Sequence, residues 1–426
     1  MSDFSTPVVQ AQQKRIVATL SGAQILGGIG AASGASVGAL LAADMAGDAF
    51  SGLSSASSVI GAAFIAIPVT KVMAEKGRRQ GLVLAYIIGL IGVMMIVLGA
   101  KLDVFAITLP GMFLMGGGMA ATLQSRFAAT DLAQPKNRGR DLSIVVWATT
   151  IGSIIGPNMS EIMGDVAESI NLPRLSGPYL MTFVVFVLAL LLINMMLRPD
   201  PLHLANEITG ANKLKNKPKP LPLKQALAVI FGIPAAVAGL ASMALGQAVM
   251  VAVMSMTPVH LDHAGASLGV VGAIISGHIT GMYIASPLVG IAADRFGRRP
   301  VIMVGIMILF SSFVLAGPAT GDEHTRLMIG LFLLGLGWSC TMIGGSTLLT
   351  ESLPVETRPR TQGAADLTMG ICGATAGILS GLIVGLGSYA ILNIIAGAIV
   401  LLLSVIVVRE RLQMGQLDSS PAGSMD

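Results

Sequence analysis

The chain has 426 residues, 54% of them hydrophobic and only 11% charged, with a mean hydropathy of +0.80. A soluble domain carries about 25% charged residues, so this composition cannot supply a water-facing surface and excludes a soluble globular protein. The net charge of +4 and pI near 9.2 would suit a nucleic-acid partner, but the positions of the basic residues reject one.

Twelve apolar stretches of spanning length follow one another, near residues 16–41, 48–70, 81–99, 104–125, 142–163, 178–197, 226–257, 268–292, 300–317, 327–349, 362–384 and 387–408. The first follows Lys14 and Arg15 and lacks the short apolar core and small-residue cleavage site of a secretory signal, so it is expected to remain as an uncleaved helix. Glycine is abundant, 52 residues, as where helices pack closely in lipid. The expected fold is an all-α polytopic membrane protein.

With both termini inside, all of the 26 Lys and Arg except Lys101, Arg174 and Arg326 fall on the cytoplasmic side. The outer loops carry Asp44, Asp48, Asp165, Glu168, Asp262, Asp322 and Glu323 instead. A single missed span would spoil this asymmetry, so the basic residues fix twelve spans with cytoplasmic ends and leave no basic face for nucleic acid. The expected location is the cytoplasmic, inner membrane of a bacterium, with the lipid bilayer as partner.

The polar stretch between spans six and seven contains Lys213, Lys215, Lys217 and Lys219 among prolines and asparagines. Such a segment cannot bury a core and reads as a flexible cytoplasmic linker that anionic headgroups attract. The expected division is a six-helix bundle over 1–198, the linker over 199–224 and a second six-helix bundle with a short tail over 225–426.

The halves read as duplicates. Asp131 precedes Arg138 and Arg140 by seven and nine residues, and Glu351 precedes Arg358 and Arg360 by the same intervals, an offset of 220. Pro68, Glu75, Lys76, Gly77, Arg78 and Arg79 match Pro287, Asp294, Arg295, Gly297, Arg298 and Arg299 with one residue missing before Gly77. Paired six-helix repeats imply alternating access by rocking of one half against the other.

The run from Gly290 through Asp294, Arg295, Gly297, Arg298 and Arg299 resembles the signature loop of the major facilitator superfamily. The resemblance implies a conformational latch at Gly290, Asp294, Arg295, Gly297 and Arg298, in which a carboxylate at a helix end caps a neighbouring helix or pairs with Arg, while Gly297 permits a tight turn. The first-half copy is degenerate, with Lys71 in place of the first glycine. Span five carries Gly152-Ser-Ile-Ile-Gly156-Pro157, similar to a motif of proton-coupled antiporters in that superfamily. The antiporter pattern continues with two glycines where this chain has Ser160 and Glu161, so helix contact is the preferred reading of the glycines.

Spans seven and eight carry the candidate chemistry. Met250 and Met254, and then His278 and Met282, are i,i+4 pairs, each on one helix face. Methionine is common, 25 residues, and the Met-x-x-x-Met spacing recurs in Met115/Met119, Met159/Met163 and Met303/Met307, so the spacing alone carries little. His278 is the histidine that lies deep in a span, where an ionisable group is expensive and usually functional. Read from outside, Met256, His260, Asp262 and His263 form an expected mouth, followed by Met254, Met250, His278 and Met282. A ladder of neutral soft ligands suits Cu(I) and offers little to Mg, Ca or Zn.

These four positions, with the first members of the pairs 28 positions apart, resemble the bacterial copper importers of the superfamily. That resemblance implies copper as substrate, import that supplies cytochrome c oxidase assembly, and a cytoplasmic copper chaperone as acceptor. Relatives of that group include riboflavin carriers, which keeps a flavin or another small organic solute as the alternative, with a proton-coupled drug exporter as the third. Asp366 and Glu161 are candidates to carry a coupling proton, and Cys340 and Cys372 read as buried, inert thiols. No phosphate-binding Gly-Lys-Ser/Thr loop and no nucleophile with a partner are present, so neither an enzyme nor a resident cofactor is expected, and a monomer is. A reporter fused after residue 215 should read as cytoplasmic and one after residue 263 as exterior. The opposite result at either site would overturn the span count.

Overall fold

A computed structural model describes residues 6–134, 137–209, 223–353 and 358–419, and among them there are helices and no strands. In chain order the first half has α1 (Pro7–Ala46), α2 (Asp48–Lys76), α3 (Arg78–Leu102), α4 (Phe105–Ala128), α5 (Arg138–Asn158), α6 (Ser160–Ser169) and α7 (Gly177–Met196). Two short helices follow, α8 (Pro201–Thr209) and α9 (Leu223–Phe231). The second half has α10 (Pro234–His263), α11 (Leu268–Tyr283), α12 (Ser286–Phe296), α13 (Arg298–Ala316), α14 (His324–Ser352), α15 (Arg358–Leu386) and α16 (Tyr389–Ser419). Among the described residues, eleven helical stretches are long and apolar enough to cross a bilayer. The remaining span, the fifth, is carried by α5, 21 residues long, which is interrupted at Met159, two residues after Pro157, and restarts as α6 at Ser160.

Span eight runs over Leu268–Phe296 as expected, in two helices, α11 and α12, separated by Ile284 and Ala285 ahead of Pro287. Two expectations about continuity need correction. Span seven is preceded by a separate helix, α9, which ends before Gly232 and Pro234. The start of the expected flexible linker is the helix α8, whereas Lys213, Lys215, Lys217 and Lys219 lie outside the described residues.

Each half packs within itself. In the first, α1 lies against α5 and α7, α3 against α4 and α7, and α2 against α4. In the second, α13 lies against α14 and α16, and α10 and α11 both lie against α14. Gly152 and Gly156 allow α5 to touch α1, since a Cβ would sit 2.0 Å from the Ile25 carbonyl oxygen and 2.5 Å from that of Ile29. The glycine pair therefore has the helix-contact role expected of it.

One end of the molecule, the basic face, holds the start of α1 and the turns α2–α3 and α12–α13; the opposite, acidic face holds Asp44, Asp48, Asp262 and Asp322. Gly77 and Gly297 make the two basic-face turns at φ +97° and +95°, a region that a Cβ disfavours. The arginine after each glycine then makes a bidentate pair with the carboxylate found by the repeat. Arg78 donates from Nε and Nη2 to Asp131 at 2.8 and 3.1 Å, and Arg298 likewise to Glu351 at 3.1 and 2.7 Å. Burial pushes the Asp131 carboxyl above its ordinary range, and the hydrogen bond and charge of Arg78 pull it back down. The side chains of Arg138, Arg140, Arg358 and Arg360 lie outside the described residues. Asp200, at the entry to α8, accepts the first backbone N–H groups of α3, from Arg78 at 3.1 Å and Arg79 at 2.8 Å, which suits the positive end of the helix dipole.

The halves meet mainly through α2 with α15 and α5 with α11. These seams lie toward the acidic face and run at backbone distance. A Cβ on Gly52 would stand 1.8 Å from the Gly377 carbonyl oxygen, and one on Gly272 2.1 Å from that of Pro157. Hydrogen bonds link the same region: Asn158 Nδ2 donates to Ser276 Oγ at 2.6 Å, Ser276 Oγ to the Ile154 carbonyl at 3.0 Å, and Ser255 Oγ to Ser55 Oγ at 3.3 Å. The conformation is thus closed at the acidic face. Gly52→Val should therefore force the seam apart, lengthening the distance between spin labels at Phe50 and Leu386 relative to the wild type. An unchanged distance would show that the seam tolerates side-chain bulk.

Candidate functional site

On α10 the chain rises from the basic to the acidic face, and on α11 it returns. Met250 and Met254 are one turn apart on the first, about 6 Å at ~1.5 Å per residue, and His278 and Met282 are one turn apart on the second. All four line one cavity of about 310 Å3 between the halves. The expected single-file ladder is in this conformation a shared chamber. The opposite wall carries Met115 and Met119 of α4 and Ser54, Ser55 and Ser58 of α2. Met115/Met119 is one of the pairs whose spacing carried no weight in the sequence; nothing short of the packing of α4 against α2 and α3 would have singled it out.

His278 is fully buried, and its Nδ1 lies 2.8 Å from the Leu331 carbonyl oxygen on α14. A carbonyl only accepts, so Nδ1 bears the proton and Nε2 keeps the lone pair. Nε2 is buried with no hydrogen-bond partner. Leaving such an acceptor unpaired costs about 1–3 kcal/mol, a penalty removed when the lone pair meets a cation or a donor. The Nδ1 hydrogen bond to Leu331 also fixes the ring, as outer hydrogen bonds orient metal-binding histidines generally.

The chamber is lined by Met, Ser, Ala, Gly, Val and Ile residues with His278 and Tyr283, and among the described residues no Asp, Glu, Lys or Arg lines it. Among the described residues no three His, Cys, Asp or Glu side chains group together as a metal site. A hard cation therefore finds no charged cage here, whereas thioethers and a neutral imidazole are donors for a soft one. Toward the basic face, Trp338 Nε1 donates to Gln247 Oε1 at 2.7 Å and its ring meets Tyr283 edge-on at 6.1 Å.

Other candidate residues lie in separate places. Asp262 and His263 line a cavity of about 570 Å3 at the acidic face with Asp44, Asp48 and Arg174, and His263 Nε2 is 3.2 Å from Asp48 Oδ2. Met256 and His260 do not join them, which corrects the expected four-residue mouth. Met256 is fully buried and its sulfur accepts from Ser51 at 3.3 Å. The His260 ring stacks on Tyr389 at 4.4 Å, with Nε2 3.0 Å from the Ala319 carbonyl oxygen. Asp366 lines a basic-face cavity of about 390 Å3 with Arg126, Met243, Met342 and Gln362, away from the chamber. Glu161 lies beside the first turn of α11, where a Cβ on Gly269 would be 2.0 Å from its Oε2. Cys340 packs with Val289, Ala293 and Val301; it and Cys372 are free thiols, and neither lines the chamber.

In the signature loop, Asp294 is 77% exposed and pairs at 2.9 Å with Arg298, which also holds Glu351. Arg298 also bonds the Ala293 carbonyl, and Arg295 lies over the Phe296 ring at 5.5 Å. Gly290 has open space around it. Of the two latch contacts expected of Asp294, the arginine pair is the one made in this conformation.

Comparison with known proteins agrees with this architecture. Residues 20–268 and 239–422 match the sequence profile of the Major Facilitator Superfamily. The chain is 39% identical to the "Uncharacterized MFS-type transporter YdeG" of Bacillus subtilis over 96% of its own length and 95% of that protein's. It is 27% identical to the riboflavin transporter RfnT of Brucella anthropi over 73% of this chain and 74% of that one. In fold it is similar to a variant of the nucleoside transporter NupG, with a TM-score of 0.74 at 16% identity, over 93% of this chain and 99% of the other.

Because Arg298 keeps Glu351 when Asp294 loses its charge, Asp294→Asn should slow turnover for any substrate without lowering the melting temperature or membrane insertion. Transport at the wild-type rate in that variant would reduce the loop to a basic anchor.

Proposed function

The chain belongs to the Major Facilitator Superfamily, and on that premise we propose that it is a secondary transporter that imports copper across the cytoplasmic membrane by alternating access. The observation that carries the reading is the chamber: Met250, Met254, His278 and Met282 face one neutral space, and the Nε2 lone pair of His278 has no other partner. Thioethers bind without losing a proton, and an imidazole whose Nδ1 proton is committed to Leu331 presents its other nitrogen ready to ligate. Cu(I) is the ion that this donor set suits. A site assembled from neutral donors also releases its ion when the halves move, since no fixed negative charge holds it back.

In this reading the basic face is cytoplasmic and the present closure at the acidic face stands before release inward. Asp262, His263, Asp44 and Asp48 gather cations at the entrance. Asp366, next to Arg126, is the proton-coupling candidate, ahead of Glu161. A cytoplasmic copper chaperone is the natural acceptor, and delivery to cytochrome c oxidase assembly the use.

A second reading, a carrier of riboflavin or a similar organic solute, is supported by the similarity to the riboflavin transporter of Brucella anthropi. Among the described residues Tyr283 is the one aromatic residue that lines the chamber, and no charged group does. That is little with which to stack a flavin or hold an anion.

Accumulation of radioactive copper and of riboflavin, measured in the same cells with and without the gene, separates the two. Copper uptake should depend on the gene. His278→Leu or Met254→Leu should reduce it at least tenfold at low external copper, since even outer contacts of a metal site are worth about 10–100-fold. Met→Leu keeps the volume at a cost under about 1.5 kcal/mol, and Met303→Leu, on α13 and outside the chamber, is the control. Uptake equal to the control in Met250→Leu, Met254→Leu and His278→Leu would sink the copper reading and leave the organic solute.

A further inference from the structure

We propose that Met115 and Met119 complete the metal site from the first half, so that one cargo ion is ligated by both halves at once and its binding holds them together. The inference rests on the copper reading and adds two ligands, and a coupling mechanism, to the same site.

The four residues identified from the sequence all belong to α10 and α11, and both helices are packed on α14 within the second half. A site made of those residues alone would travel with that half and have the same affinity whichever way the molecule faced. A ligand with equal affinity for two states shifts neither. Such a site could hold copper but could not use it to drive closure.

The first half supplies the missing asymmetry. Met115 and Met119 stand one turn apart on α4, the same spacing as Met250 and Met254, and line the same chamber. The helix that carries them packs on α2 and α3 and also touches α1 and α5, all of the first half. Met115 is 8% exposed, and its sulfur occupies the gap over Gly34 of α1, where a Cβ would come within 3.1 Å of it. Met119 is 38% exposed and lines the chamber. Packing accounts for the first thioether but leaves the second uncovered. A flexible thioether that lines a cavity together with His278, whose buried Nε2 has no hydrogen-bond partner, is a ligand in waiting. Around them Ser54, Ser55 and Ser58 add polarity without charge, so no competing ion is invited.

With donors on both walls, the ion gains ligands when the halves close on it and loses them when either side opens. That difference between states is what alternating access requires of a substrate. The chamber also offers more thioethers than one Cu(I) ion uses, which lets the ion change partners as the walls shift.

The test uses the full-length protein in lipid nanodiscs, titrated anaerobically with Cu(I) against a chromophoric Cu(I) chelator and examined by X-ray absorption at the copper edge. Met115→Leu/Met119→Leu should weaken binding about tenfold or more and lower the number of sulfur neighbours, while Met303→Leu changes neither. Met119→His in a Met115→Leu background, which replaces one soft donor by another on the more exposed of the two positions, should restore binding relative to Met115→Leu/Met119→Leu and so separates ligation from folding. In a background with Cys340→Ala and Cys372→Ala, copper should shorten the distance between spin labels at Lys71 and Gly363 in otherwise wild-type protein and leave it unchanged in the double Leu variant. Unaltered affinity and sulfur count in that variant, with loss in Met254→Leu, would overturn this inference and leave the copper reading standing. Failure of the wild-type protein to bind Cu(I) would overturn both.

Discussion

The architecture depends on two pairs of helices meeting at backbone distance. Where α2 meets α15 and α5 meets α11, glycines bring carbonyl oxygens to positions that any side chain would block. Without those seams the halves would stand apart at the acidic face, and the chamber between them would lose the closure it has on that side. In lipid, two helices gain little from burying apolar surface, because the surrounding tails are equally apolar, so close packing and neutral hydrogen bonds carry the association. The serines and the asparagine along the seams, Ser55, Ser255, Ser276 and Asn158, supply those bonds.

Much of this was legible in the sequence, for reasons that can be named. Hydropathy and the distribution of Lys and Arg report the number of spans because the bilayer acts on length and charge directly. The repeat was legible because Asp131 and Glu351 serve the same purpose, each receiving the arginine that follows a turn glycine. His278 stood out because an ionisable group is costly at membrane depth. The breaks at Met159 and at Ile284–Ala285 were less legible. Proline fixes where a helix loses a hydrogen bond, but neighbouring helices decide whether it bends or stops.

The candidate site was readable only on one side. Met250, Met254, His278 and Met282 lie on consecutive helices, so short-range spacing brings them into view. Met115 and Met119 are more than a hundred residues away in sequence and reach the chamber through the tertiary fold. Their i,i+4 spacing is indistinguishable from that of Met303 and Met307 until the packing is known. Met256 and His260 err in the opposite sense: they are close in sequence to Asp262 and His263, yet a helix turns them toward Ser51, Tyr389 and Ala319. Proximity along a helix does not make a cluster.

The carboxylate of Asp200 has a mechanical meaning beyond capping α3. It fastens the chain leaving the first half to the basic face of that half, so the tether between the halves begins only after α8. From Thr209 to Leu223 a chain can extend to roughly 50 Å at ~3.3–3.6 Å per residue. Covalent length alone therefore does not fix how far apart the two bundles stand. Whatever synchronises the two bundles must pass through the surfaces where they touch and through whatever occupies the space between them.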